Sequence, residues 1–119
     1  MKITIECEER DAIRISNMIK SVLDVKKVSK FYPNAINSET DHEGRVFINL
    51  NGYKQQDFVD LLSSDMLNLL SVANIDIDSP EGQSEILKIR QFYEAGKRGL
   101  EFEKLLSLYI AWHDSLFKF

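Results

Sequence analysis

The chain has one cysteine, two prolines and five glycines, and no apolar run near the roughly 20 residues that a membrane-spanning helix needs. A single cysteine excludes an internal disulfide framework and fits a reducing compartment. So few glycines and prolines argue against a many-stranded sandwich or barrel, which needs frequent tight turns. Met1 to Cys7 holds one lysine and no apolar stretch, so no signal peptide is expected and the expected location is the cytoplasm. No internal repeat and no low-complexity segment occurs.

What is present is an ordinary globular composition. Hydrophobic residues make up 44% and charged residues 29% of 119, which is the balance of a chain that folds rather than one that stays disordered. That length predicts a single domain, residues 1–119. The formal net charge is −4. An acidic balance weakens non-specific nucleic-acid binding and steers toward basic partners.

The hydrophobic period alternates between two values. Ile3, Ile5 and Cys7 alternate with Lys2, Thr4 and Glu6, which predicts a first strand. From Glu8 to Asp24 the period lengthens: Ala12, Ile15, Ile19, Val22 and Leu23 share one helical face, with Met18 beside them. Lys26 to Tyr32 reads as a second strand stopped by Pro33. Asn34 to Glu43 is polar and aperiodic, a loop. Gly44 to Leu50 is the clearest strand, and Phe47 on its other face suggests cover on both sides. Phe58, Leu61, Leu62, Met66, Leu69 and Leu70 form a second helical stripe. Ala73 to Asp78 reads equally as a short edge strand or a loop. Ser79-Pro80-Glu81 is a helix start: a hydroxyl cap, proline at the first helical position, then an acid. Gly96-Lys97-Arg98-Gly99 predicts a break or kink that gives two helices, with one continuous helix as the alternative, since glycine in a helix interior costs about 1 kcal/mol. The expected fold class is α+β, a small sheet of three or four strands with three to four helices packed on it and an all-helical C-terminal half.

The last stretch carries the most apolar surface. Phe102, Leu105, Leu106, Tyr109, Trp112, His113 and Leu116 fall on one helical face, and Leu108, Ile110, Phe117 and Phe119 lie outside it. A helix apolar on several sides is buried on several sides, within its own chain or against another. Leu108, Tyr109, Trp112 and Phe117 are therefore expected to anchor self-association as a homodimer.

Catalytic chemistry is hard to find. Cys7 sits within a strand alternation and reads as a packed apolar residue rather than a nucleophile. His42, in Asp41-His42-Glu43, reads as a solvated loop residue, because adjacent side chains do not converge on one ion. His113, beside Asp114, reads as a boundary residue of the last helix, with an enzyme built around it the weakest option. The glycines form no phosphate-binding signature. Asp76, Asp78 and Glu81 lack the glycine and distal glutamate of a calcium loop. No catalytic residue, cofactor or metal is expected.

Two charged clusters remain. Glu39, Asp41 and Glu43 share one loop, and Asp76, Asp78, Glu81 and Glu85 share another; together they could present an anionic surface to a basic protein partner. Lys20, Lys26, Lys27 and Lys30, with Tyr32, form the best nucleic-acid patch: cations for phosphate and an aromatic for stacking. The leading expectation is a non-enzymatic protein-interaction domain, a small inhibitor, immunity or accessory protein of a bacterium, phage or mobile element that masks a partner's surface. The alternative is a nucleic-acid-binding accessory protein using the lysine patch.

Overall fold

The computed structural model describes residues 1–34, 43–52 and 55–117. Among them the chain forms four strands and four helices, an α+β arrangement whose second half is helical. The sequence reading takes it as one domain; its backbone gathers into two compact units, Met1–Tyr53 and Lys54–Phe119, each with its own buried side chains.

In the first unit, β1 (Lys2–Glu8) runs through a single 3-10 turn (Glu9–Asp11) into α1 (Ala12–Val22). Three short or long strands follow: β2 (Val25–Val28), β3 (Tyr32–Pro33) and β4 (Glu43–Leu50). β4 is central and antiparallel to all the others, with β1 on one side and β2 and β3 along the other. The β1/β4 register places Ile3 opposite Ile48 and Ile5 opposite Val46. These four are buried, as are Ile15 and Ile19 of α1. Period-two burial on the strands and period-3.6 burial on the helix thus build one apolar layer from two patterns.

The predicted second strand is divided. Ser29 to Phe31 interrupts it, and the Ser29 hydroxyl accepts a hydrogen bond from the Phe47 amide at 2.8 Å in place of a backbone carbonyl. Pro33 does not stop the strand, as the sequence suggested, but pairs with Gly44. A proline has no N–H to give, and an edge position asks for none on its outer side. Gly44 is required there: a Cβ on it would run into the Phe31 ring and the Tyr32 carbonyl.

The second unit consists of α2 (Gln55–Val72), α3 (Pro80–Lys97) and α4 (Phe102–Phe117). Two of these helices stop in the same way. Asn74, at φ 57°, and Gly99, at φ 93°, take the left-handed conformation just past α2 and α3. In each case the next residue's amide reaches back to the final turn, Ile75 to the Leu70 carbonyl and Leu100 to the Ala95 carbonyl. The ambiguous Ala73–Asp78 stretch is accordingly a loop. Ser79 caps α3 as the sequence indicates, its hydroxyl accepting from the Gly82 amide at 3.0 Å. The Gly96–Gly99 break is real, but only Gly99 makes it. Gly96 lies inside α3, buried, where a Cβ would strike the side chain of Val59 on α2. Its role is close helix approach rather than a kink.

Candidate functional site

α3 and α4 are joined by four residues and pack against one another, Trp112 of α4 reaching Glu85 of α3. Along their seam runs a groove of about 470 Å³. One wall is Lys88, Gln91 and Ala95, at helical steps on α3; the other is Leu108, Ala111 and Ser115 on α4. Phe92, Trp112 and Met66 of α2 also line it.

Trp112 is fixed at this groove. Its indole N–H donates to a carboxylate oxygen of Glu85 at 2.7 Å, and the other Glu85 oxygen accepts from Lys88 at 3.1 Å. One turn earlier, the Tyr109 hydroxyl donates to the Asp65 carboxylate of α2. Burial, that hydrogen bond and the Asp65 charge together hold the Tyr109 phenol well above its ordinary value, burial contributing most. Phe58 and Phe102 stack with ring centroids 3.6 Å apart, so a π-contact also joins α2 to α4.

These contacts change the part assigned to the expected self-association anchors. Tyr109 is 1% exposed and Trp112 8%, so their apolar surface is already spent within the chain. The reason is the polar tip of each ring: Asp65 and Glu85 satisfy the O–H and N–H, which lets both rings bury. Leu108 is 49% exposed and Phe117 half-buried, so these two still offer surface.

Of the expected anionic surface, Glu39 and Asp41 lie outside the described residues, and Glu43 begins β4 in the first unit. Asp76, Asp78 and Glu81 cluster before and within the first turn of α3. The Asp76 carboxylate is committed locally, accepting the Asp78 amide at 3.0 Å.

The lysine patch separates into several places. Lys20 lies on α1 and, with Lys30, Ser16, Asn17 and Phe31, lines a cleft between that helix and β2. Lys26 falls where the β2/β4 register slips, between Val25 and Lys27. Lys27 stands opposite Asn49, and the two line a hollow on the sheet face remote from α1, together with Lys2, Ser29 and Phe47. Tyr32 reaches the same face: its ring centroid is 5.7 Å from that of Phe47, and the Lys30 ammonium stands 5.2 Å over it.

Cys7 is half-buried, and burial, helped by the negative charge of Asp11, raises its thiol above the ordinary value, the opposite of what activates a nucleophile. His113 packs between aromatic rings, 4.8 Å from Phe117 and 6.2 Å from Tyr109, with Nδ1 3.8 Å from Asp114. His42 lies outside the described residues. Among the described residues no three His, Cys, Asp or Glu side chains gather as a metal site, and no helix is long and apolar enough to cross a membrane.

Sequence reasoning missed the small side chains of the groove. Ala95, Ala111 and Ser115 carry no chemistry alone; their signal was position, Ala111 and Ser115 following Leu108 at steps of three and four beside Trp112. No protein-family model, curated protein or solved structure matches this chain.

Proposed function

We propose that the protein is a non-enzymatic interaction domain, an accessory or inhibitory protein that works by covering a partner's surface, and that its receptor surface is the α3/α4 groove. The observation that supports this is the groove itself. Two rows of side chains at helical spacing, mostly small on α4 beyond Leu108, flank an aromatic floor. That shape accepts the ridge of one more helix, as a three-helix bundle accepts a fourth. An amphipathic partner helix would place its i, i+3, i+4 and i+7 apolar residues over Phe92 and Trp112 and against the exposed Leu108. Lys88, paired with Glu85, gives one end of the groove a polar rim. Self-association through Leu108 and Phe117 is the homotypic use of the same helix, α4.

The test has two arms. Light scattering from low to high micromolar concentration, on the native chain and on Leu108→Glu, reports the homotypic use: a dimer that dissociates on dilution and is lost in the variant is expected. Cross-linked capture from native extract, on the native chain and on Ala111→Trp, reports a foreign partner. Filling the groove should remove the captured protein without lowering the melting temperature. A monomer at every concentration, with identical captures by both chains, overturns the reading.

A further inference from the structure

The first unit carries a second surface, and its geometry points to a binding site for single-stranded nucleic acid on the open face of the sheet. One face of β1 and β4 is buried; the other is arranged in rows by the strand register. Lys2, Asn49 and Lys27 form the first row, Thr4 and Phe47 the second, and Glu6, Arg45 and Tyr32 the third. Phe47 is therefore an aromatic at the centre of a sheet face, only partly covered, on the middle strand. Between the first two rows lies a hollow of about 370 Å³ lined by Lys2, Lys27, Ser29, Phe47 and Asn49.

Each part of this arrangement suits one part of a nucleotide. An aromatic ring on an open sheet gives a base a flat partner, and such stacking tolerates any sequence because every base has a π-face. Tyr32, 44% exposed and beside Phe47, extends the platform to a second base. Lys2 and Lys27 stand at the rim on opposite strands, where a sugar–phosphate backbone passing over Phe47 would lie between them. Lys30, held over Tyr32, adds a third cation. Asn49 offers an amide that both donates and accepts toward a base edge. The Ser29 hydroxyl is already engaged with the Phe47 amide and the Lys30 carbonyl, so it shapes the hollow rather than reading a base.

Charge complementarity argues for a polyanion and limits where it runs. The cations gather at the Lys2–Lys27 end. Glu8 and Glu43 close the opposite end, and Glu6 there stands 3.8 Å from Arg45. A strand is thus held over the first rows, while the last rows, where Arg10 pairs with Glu8 at 2.7 Å and Arg45 lies near Glu6, offer it little net attraction, which gives a site of a few nucleotides. The chain's net charge of −4 adds little affinity at a distance, so recognition rests on contact. An acidic peptide such as polyglutamate would use the lysines but brings no aromatic ring to stack on Phe47, and a duplex buries its base faces; both serve as controls.

Fluorescence anisotropy with labelled ten-nucleotide single-stranded DNA and RNA, at low salt, tests the assignment. Binding should weaken with salt at a log–log slope of about −2, the value for three neutralised phosphates on a single strand. Lys27→Ala should reduce that slope by about 0.7. Phe47→Leu keeps apolar bulk but removes the π-face, and should weaken binding about fivefold or more at unchanged slope. Tyr32→Ala, at an exposed position, provides a second stacking variant if Phe47→Leu proves unstable. Binding by DNA, by RNA or by both supports the site. No salt-sensitive binding overturns it. So does equal binding of duplex DNA or polyglutamate with both aromatic variants unchanged, since that is plain cation attraction. Leu108→Glu should leave binding intact, which separates this site from the groove.

Discussion

Glu85 of α3 and Trp112 of α4 are joined by a hydrogen bond of 2.7 Å between the indole N–H and a carboxylate oxygen. The Glu85 side chain is only 15% exposed, so the bond is made largely out of water. A hydrogen bond to a charged group of this kind contributes about 1.5–3 kcal/mol. Glu85→Ala should lower the unfolding free energy by that order, and Glu85→Gln, which keeps an acceptor, by less. Trp112 is the only tryptophan, so its emission reports the site directly. A red-shifted native spectrum in Glu85→Ala would mark a loosened groove. An unchanged spectrum and an unchanged denaturation midpoint would mean that the bond holds nothing.

Tyr109 and Asp65 predict how the helical unit responds to alkali. The folded phenol titrates above its ordinary value of 10.0 because burial and the Asp65 carboxylate both oppose the phenolate. A raised folded value contributes stability that is present below about pH 10 and is lost as pH rises beyond it. Urea midpoints measured from pH 8 to 11 should fall above pH 10. Tyr109→Phe should flatten that fall and cost about 1–2 kcal/mol at neutral pH, where the hydrogen bond is intact. A native chain whose alkaline loss matches that of Tyr109→Phe would remove this account.

Cys7 offers a third check. Its thiol is partly buried and its ionisation is opposed by that burial and by Asp11. Labelling by an aromatic disulfide at pH 8 should be slow in the native protein and fast in denaturant. Asp11→Asn should quicken the native reaction, because it removes the nearby negative charge. Fast native labelling would show that the strand end opens readily.

Much of the fold was legible because the two hydrophobic periods are clean. Ile3 and Ile5, and Val46, Ile48 and Leu50, alternate so strictly that the strands and their inner face follow. Phe102, Leu105, Leu106, Tyr109 and Trp112 prove buried, as their spacing indicates, while His113 and Leu116 of the same stripe are half-buried. What failed to show was any contact made between elements. Nothing in the sequence tells Trp112 of Glu85, 27 residues earlier, or Tyr109 of Asp65, 44 residues earlier. Those acids turn an apparent apolar surplus into a satisfied interior. The division of the second strand was equally hidden, since it depends on one serine hydroxyl replacing a backbone carbonyl. The lysine patch was read along the chain, whereas the sheet alternates its side chains and brings Lys2 to Lys27 from the far strand.

Gly96 and Gly99 lie three residues apart and share a sequence motif, yet their substitutions should fail for different reasons. At Gly96 the backbone is helical, so alanine gains about 1 kcal/mol of helix propensity. Against that, its Cβ would collide with Val59, which is itself fully buried. Overpacking of this kind costs about 1–3 kcal/mol, so Gly96→Ala should be net neutral to destabilising. Shortening the neighbour should reverse the sign. In the Val59→Ala background, Gly96→Ala should stabilise, because the clash is gone and the propensity gain remains. At Gly99 there is open space, so nothing is relieved by changing Val59. The difficulty is φ 93°, a conformation that side chains resist, and Gly99→Ala should cost about 1 kcal/mol in either background. A double-mutant cycle by urea denaturation separates the two: coupling to Val59 is expected at position 96 and none at 99. Equal coupling at both positions, or none at 96, would show that α2 and α3 do not approach as closely as the buried glycine implies.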